Sequence, residues 1–246
     1  CMNTNSIVAV QLKHKLQIPF VLHVNGPVLF CPKGTLMYKD KELCEKNCTY
    51  STYIDCFLHS KNIGKITMPF YIKYNLLIIR GARKKFEKYQ ELIFHFDHYM
   101  AISTFMEKRL VFSGVKEEKI SIIYNLVDFD KFLKLKQPKN KIKKILYLGP
   151  YTKPKGSQIL LESLKKVKEP FVAGFYGEGI LEKFLIENSG KNIKINNSVS
   201  YSKIPKIIQE HDILVFPSLV GEAFGRVALE ACAAGKIVIA SNIGGI

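Results

Sequence analysis

Residues 211–240 read HDILVFPSLVGEAFGRVALEACAAGKIVIA, and this stretch predicts a strand, a loop, a helix and a second strand. The run from Ile213 to Phe216 is continuously apolar, as in a strand that is buried on both faces of a parallel sheet. Residues 227–234 are rich in alanine, which would let a helix pack closely against that sheet. Gly235 stands where a helix-terminating glycine is expected. The stretch therefore predicts one strand–helix–strand unit of a parallel sheet.

Two carboxylates, Glu222 and Glu230, flank the transition from loop to helix, with seven residues between them. A glycoside hydrolase needs two carboxylates about 5–9.5 Å apart, whereas eight residues of helix span about 12 Å. The spacing favours two carboxylates that each accept hydrogen bonds from a diol of one long ligand. Backbone N–H groups between them would form an anion site at a helix N-terminus. A nucleotide sugar has this layout, with a diol towards each end and an anionic group between them. The alternative is that Glu222 is an ordinary residue of the first helical turn, favoured there by the helix dipole, and that Glu230 is a solvated helix position.

The composition is that of a globular chain: 246 residues, 47% of them hydrophobic and 24% charged, are enough for two domains. No apolar run approaches about eighteen residues, so no membrane-spanning helix is predicted. The net charge of +16 suggests an anionic partner such as nucleic acid, acidic lipid or phosphate. The lysines are spread along the whole chain, however, and no motif that reads RNA or DNA is present. No nucleic acid partner is therefore expected. Both ends of the sequence look truncated, so we treat it as a fragment.

A cysteine-bearing loop spans residues 31–60 and contains Cys31, Cys44, Cys48 and Cys56. A disulfide scaffold is not expected in a chain of this length without an export signal. The four cysteines are a weak candidate for a structural metal site, because their spacing is not that of a standard zinc knuckle. Free thiols are the favoured interpretation.

Strands alternate with helices through the rest of the chain, which predicts parallel sheets with right-handed crossovers. A lysine-rich segment with Pro138 indicates a linker, and we place the domain boundary there, giving domains 1–138 and 139–246. Polar residues at strand ends face the ligand side of such a sheet, and Asn25 follows the strand from Ile18 to Val24. His23 shares a strand face with Asn25, although a hydrogen-bonded core histidine is its alternative role.

Residues 68–88 are apolar at first and then basic, a pattern typical of a helix that lies on an anionic membrane surface. The alternative is a core helix with a solvated lysine face.

Several motifs together resemble the retaining glycosyltransferases of family 4, also named glycosyl transferases group 1. They are Pro217-Ser218, Glu222-Ala223-Phe224-Gly225, Glu230-Ala231, Gly235, Gly149, Lys155-Gly156, Gly177-Glu178-Gly179, Ala101-Ile102-Ser103 and Tyr124-Asn125-Leu126-Val127-Asp128. The resemblance implies a GT-B fold, in which two Rossmann-like doubly wound domains face a cleft, both of them incomplete here. It also implies a partial acceptor-binding domain over 1–138 and a partial donor-binding domain over 139–246.

The resemblance further implies roles for individual residues. Glu222 would hold the transferred sugar and Glu230 the ribose diol, while Lys155 would neutralise the diphosphate leaving group as its charge develops. With Lys155 and Glu222 as the catalytic residues, the remaining donor-binding positions are Gly149, Lys153, Gly177, Gly179, Ser218, Phe224, Gly225 and Glu230. The acceptor side would comprise His23, Asn25, Ser103 and Asn125.

Two positions depart from the family pattern. Pro150 stands where an arginine usually follows the glycine, which removes one cation from the diphosphate site; Lys153 is a substitute. Asn25 stands where the family commonly has a histidine, and an amide cannot act as a base.

The expected function is a hexosyltransferase that moves a sugar from a UDP-, GDP- or ADP-sugar to a glycan or lipid-linked acceptor, as in cell-envelope polysaccharide synthesis. The reaction would need no metal or other cofactor, and the protein would be cytoplasmic, with peripheral association at the inner face of the membrane. The alternative is a basic protein derived from a transferase fold that binds nucleic acid or membrane.

Overall fold

The computed structural model describes residues 12–13, 15–39, 41–45, 48–59, 80–81, 83–84, 87, 90–133 and 141–246. The chain divides into two compact units, Cys1–Tyr124 and Asn125–Gly244. Each unit contains a parallel sheet, as the alternation of strands and helices predicts.

The first unit holds a three-stranded parallel sheet in the order β1-β4-β5. Its strands are β1 (Val21–Val24), β4 (His98–Ala101) and β5 (Ile120–Ile122), and a short antiparallel hairpin joins β2 (Met37–Tyr38) to β3 (Glu42–Leu43). The α-helices of this unit whose bounds the structure describes are α1 (Tyr50–Leu58) and α2 (Thr104–Phe112). Helix α2 begins after Ser103, whose hydroxyl accepts a hydrogen bond from the backbone N–H of Met106 and so caps the helix.

The second unit holds a five-stranded parallel sheet in the order β10-β9-β6-β7-β8. Its strands are β6 (Lys143–Leu148), β7 (Phe171–Tyr176), β8 (Ile193–Asn196), β9 (Ile213–Phe216) and β10 (Ile237–Ala240). Its helices are α3 (Phe129–Leu133), α4 (Ser157–Leu164), α5 (Glu182–Asn188), α6 (Ile204–Glu210) and α7 (Arg226–Ala233). The strand order is that of a doubly wound Rossmann-like sheet.

The stretch 211–240 folds as its pattern predicts, into β9, α7 and β10. Leu214 and Ala231 are almost completely buried in a cluster that joins the sheet to α7. The small alanine side chains on that helix allow the close approach. Gly235 follows the helix with φ of 68°, the left-handed conformation that glycine adopts without strain.

The predicted boundary at residue 138 lies too far along the chain, because the second compact unit begins at Asn125. Val127 and Phe132 are buried in the same cluster as Leu146 and Leu214, so the segment before the lysine-rich stretch packs with the second unit. Residues 134–140 lie outside the described residues.

Candidate active site

The site is organised by the point where the strand order of the second sheet reverses. Strands β6 and β9 are hydrogen-bonded neighbours, with Ile145 opposite Ile213 and Leu146 opposite Leu214. From there the chain order proceeds outwards in opposite directions, to β7 on one side and β10 on the other. Ligands of such sheets bind outside the carboxyl ends of the strands at this switch point. The loops that follow β6 and β9 carry most of the predicted donor-site residues.

Three polar side chains from these two loops meet at one carboxylate oxygen. The Lys155 ammonium donates to Glu222 Oε1 at 2.5 Å, and the Ser218 hydroxyl donates to the same oxygen at 2.6 Å. The Glu222 and Lys155 side chains are 13% and 32% exposed, and Ser218 is buried. A partly buried, charge-assisted pair of this kind is held more firmly than a surface ion pair. The two residues predicted to be catalytic therefore lie in direct contact, although they are 67 positions apart.

The loops are locked together by a glycine packed against a backbone carbonyl. Gly156 ends a 3₁₀ turn over Lys153–Lys155 and adopts φ of 73°. A Cβ at this position would lie 1.9 Å from the carbonyl oxygen of Pro217. A hydrogen bond from the Leu219 N–H to the Pro154 carbonyl joins the same two loops. This close approach explains why Lys155 and Glu222 are held in register.

The glycine loop at 177–179 packs against the loop that follows β6. A Cβ on Gly177 would lie 2.0 Å from the Gly149 carbonyl oxygen, and one on Gly179 would lie 2.6 Å from the carbonyl oxygen of Tyr151. The Tyr151 N–H also donates to the Glu178 carbonyl. Contact between two loops therefore accounts for both glycines, in addition to the predicted approach of a nucleotide. Lys153 is exposed on the adjoining turn.

Helix α7 begins at the anion site that the sequence predicts between Glu222 and Glu230. Its N-cap is Gly225, with φ of 77°, and Phe224 precedes it with a half-buried side chain. A Cβ on Gly225 would lie 3.3 Å from the Ile246 side chain, so close packing as well as the backbone angle favours glycine here.

Glu230 is not the solvated helix position that the sequence left open, because it is only 2% exposed. The Tyr201 hydroxyl donates to Glu230 Oε1 at 3.0 Å, and the Arg226 guanidinium lies 3.5 Å from the same oxygen. Burial raises the pKa of this carboxyl, while the hydrogen bond from Tyr201 and the charge of Arg226 act in the opposite direction. The two glutamates therefore occupy separate polar pockets, each with its own hydrogen-bond donors.

The first unit places His23 and Asn25 beside a cavity of about 150 Å³ lined by residues 22–26, 28 and 29. His23 is exposed, so its alternative role as a core histidine is wrong. Ser103, by contrast, is buried and its hydroxyl caps α2. Asn125 is half-buried at the start of the second unit.

The cysteine loop holds free thiols at Cys31, Cys44, Cys48 and Cys56. Burial, followed by the charges of the other three thiols, raises the pKa of the Cys48 thiol to about 12. The sulfur of Cys56 accepts a hydrogen bond from the backbone N–H of Lys39 and contacts the Met37 carbonyl. Within the part of the chain that the structure describes, no group of three or more His, Cys, Asp or Glu residues is arranged to hold a metal ion. The structure thus gives the metal candidate no support.

The membrane segment predicted at 68–88 falls mainly outside the described residues, which include only 80, 81, 83, 84 and 87 of it. Among the helices that the structure does describe, none combines the length and the apolarity needed to span a bilayer.

Sequence reasoning missed two side chains that act on Glu230. Arg226 precedes Glu230 by four positions, a helical spacing at which opposite charges meet, so this contact was within reach of the sequence. Tyr201 lies 29 positions before Glu230 on a 3₁₀ turn, and no local pattern signals its contact with α7.

The second unit resembles a known protein family. Residues 128–246 match the family model described as Glycosyl transferases group 1. These residues are just under half of the chain. The chain is also similar, at 15% identity and a TM-score of 0.62, to the crystal structure of Anabaena HepE in complex with UDP-glucose. That likeness covers 98% of this chain and 58% of the other, and it confirms the predicted GT-B fold class.

Two curated relatives are similar to this chain over part of their length. An uncharacterized 41.2 kDa protein in the cps region of Klebsiella pneumoniae is 32% identical over 157 residues, which are 60% of this chain and 43% of that protein. The phosphatidyl-myo-inositol mannosyltransferase of Mycobacterium leprae is 33% identical over 107 residues, 41% of this chain and 29% of the relative. The chain thus spans less than half the length of each.

Proposed function

We propose that this chain is a retaining glycosyltransferase that moves a hexose from a nucleotide-sugar donor to a glycan or lipid-linked acceptor. The observation that carries the proposal is the contact between Lys155 and Glu222 at the switch point of the second sheet. A cation and a carboxylate at this point suit a ligand that combines a diphosphate with sugar hydroxyls. The match of residues 128–246 to the family model described as Glycosyl transferases group 1 supports the same chemistry.

Lys155 would act on the leaving group. When the bond between the sugar and the diphosphate breaks, negative charge builds on the diphosphate, so a fixed ammonium stabilises the transition state more than the ground state. Lys153, exposed on the same 3₁₀ turn, would supply the second positive charge in place of the arginine that Pro150 replaces.

The two glutamates would bind opposite ends of the donor. Lys155 and Ser218 both contact Oε1 of Glu222, so the carboxylate is oriented before it accepts hydrogen bonds from the hydroxyls of the transferred sugar. Backbone N–H groups of Phe224 and Gly225 would meet the sugar or the diphosphate, and Glu230 would receive the ribose diol. The acceptor hydroxyl would attack from the face that the diphosphate leaves and pass its proton to a diphosphate oxygen, which retains configuration without an enzyme nucleophile or a metal.

The choice of donor and acceptor rests on the comparisons. The complex of Anabaena HepE with UDP-glucose makes a UDP-sugar the first donor to test, ahead of GDP- and ADP-sugars. The name of the Mycobacterium leprae relative supports a lipid-linked acceptor, and the cps region of the Klebsiella relative suggests a glycan product. The His23 and Asn25 cavity in the first unit is the proposed acceptor side. We further propose a cytoplasmic protein that associates with the inner face of the cell membrane.

Binding and turnover of nucleotides test this function. Isothermal titration with UDP, GDP and ADP should reveal one that binds, and its sugar derivatives should then release nucleoside diphosphate in the presence of acceptor. Lys155→Met should lower kcat about 100-fold or more, the typical loss when one transition-state contact is removed. Lys183→Met is the matched control, because that side chain is 87% exposed and makes only a 3.8 Å surface pair.

The alternative function predicts a different result. A chain that binds an RNA oligomer or anionic vesicles, but none of the three nucleoside diphosphates, would be a basic binding protein on a transferase fold. Equal turnover by Lys155→Met and Lys183→Met would also refute the role assigned to Lys155.

A further inference from the structure

Two side chains of the described residues share one oxygen of the Glu230 carboxylate. The Tyr201 hydroxyl and the Arg226 guanidinium both approach Oε1, at 3.0 and 3.5 Å. A carboxylate offers about four lone-pair positions over its two oxygens. Among the described residues both of these contacts are to Oε1, so hydroxyl groups of a ligand would be received by Oε2.

Tyr201 and Arg226 are themselves arranged around each other. The Arg226 guanidinium lies over the Tyr201 ring, 5.4 Å from its centroid, a cation–π geometry. Tyr201 is 45% exposed and the Arg226 side chain is 52% exposed, whereas Glu230 is almost fully buried. The phenol therefore reaches from the surface to a buried carboxylate, and the arginine holds the ring in place.

We propose that Tyr201 is a positioning residue for nucleotide binding, whose hydroxyl fixes the Glu230 carboxylate so that Oε2 faces the ribose diol. This inference rests on the proposed function, because it assumes that Glu230 is the ribose ligand. It adds a residue on a different element, the 3₁₀ turn Tyr201–Lys203, to the recognition of ribose.

The energetics favour such a role. A buried carboxylate without a donor would be costly, and a hydrogen bond to a charged group is about twice as strong as one between neutral groups. Because the hydrogen bond from Tyr201 opposes the effect of burial on the pKa of Glu230, loss of the hydroxyl would raise that pKa further. Among the described residues, the charged group that faces the Glu230 carboxylate is the Arg226 guanidinium on α7. The Lys131 ammonium on α3 lies near enough to interact with Tyr201.

The test compares a ribonucleotide with its sugar-modified form. The nucleoside diphosphate that binds the wild-type chain is titrated beside its 2′,3′-dideoxy counterpart, which lacks both hydroxyls that Glu230 would receive. Tyr201→Phe keeps the ring and its contact with Arg226 and loses only the hydroxyl. It should weaken binding of the ribonucleotide about 10-fold, the size expected for one hydrogen bond to a charged group. Binding of the dideoxy form should change less than about 2-fold.

Ser202→Ala is the matched control, because it removes a hydroxyl from the same 3₁₀ turn, and among the described residues that hydroxyl bonds to Ser200 and not to Glu230. It should leave both affinities at the wild-type values. A second readout is the pH dependence of ribonucleotide affinity, whose acidic limb should move to higher pH in Tyr201→Phe and stay in place in Ser202→Ala.

The outcomes separate the two proposals. If Tyr201→Phe weakens both nucleotides equally, or weakens neither, Tyr201 has no positioning role even though the donor site stands. If the wild-type chain binds no nucleoside diphosphate, the proposed function itself fails, and the role of Tyr201 fails with it.

Discussion

Gly156 offers the sharpest test of how the candidate site is held together. In Gly156→Ala, the new Cβ would lie 1.9 Å from the carbonyl oxygen of Pro217, whereas real Cβ contacts stay above 3.0 Å. The two loops must therefore separate by about 1 Å, and Ser218, which holds Glu222, is the next residue in the displaced loop.

The expected loss of stability has two parts. The left-handed backbone at φ of 73° costs an alanine about 1–2 kcal/mol, and forcing atoms into a packed region costs about 1–3 kcal/mol more. The sum predicts that the free energy of unfolding of the second unit falls by about 3 kcal/mol. Turnover should fall too, because Ser218 and Glu222 move away from Lys155.

Gly114→Ala separates backbone strain from steric overlap. Gly114 also has a positive φ, of 94°, but a Cβ there would meet only the Phe94 ring at an ordinary 3.6 Å. It should therefore lose only the strain contribution of about 1–2 kcal/mol. Hydrogen exchange followed by mass spectrometry reports both, through the amides of α4 for Gly156 and those of α2 for Gly114. Equal losses in the two variants would refute the interlocked loops.

Three further predictions concern titratable groups. Burial raises the pKa of Glu230 above its ordinary 4.5, so the ionised form destabilises the fold. Glu230→Gln should therefore raise the urea midpoint of unfolding at pH 7 and have no such effect at pH 4. The same variant should lose nucleotide affinity. Burial lowers the pKa of His211 below 6.5, so thermal stability should fall as the pH drops below 6.5, and His211→Gln should flatten that fall. The pKa of Cys48 is raised to about 12, which leaves roughly one thiol in ten thousand ionised at pH 8. Iodoacetamide should therefore alkylate the exposed Cys232 well before Cys48, which peptide mapping would detect.

Local patterns in the sequence were enough to predict β9, α7 and β10. An apolar run, a stretch of alanines and a terminating glycine each act through neighbouring residues, so their structural consequences are visible in the sequence. The GT-B fold was an expectation of a different kind, because the resemblance to a known glycosyltransferase family implied it. The domain boundary was misplaced because the burial of Val127 and Phe132 depends on contacts with residues far along the chain.

The candidate site was predictable in its residue types and less so in its contacts. Lys155 and Glu222 were assigned to one ligand, but their direct contact depends on β6 and β9 being neighbours in the sheet. The burial of Glu230 and its bond to Tyr201 depend on how a 3₁₀ turn meets α7, and single-sequence periodicity carries no information on such a meeting. The exposure of His23 likewise depends on which residues pack against β1, and the local sequence does not show this.

The glycine contacts of the second unit limit how its specificity could be re-engineered. Gly177 packs against the Gly149 carbonyl, and Gly156 packs against the Pro217 carbonyl. The loops that follow β6, β7 and β9 therefore pack together as one unit. A single loop transplanted from a relative would lack the neighbouring backbone surface that it must fit. Transplants that move 149–156, 177–179 and 217–222 as a set should fold, whereas single-loop chimaeras should not.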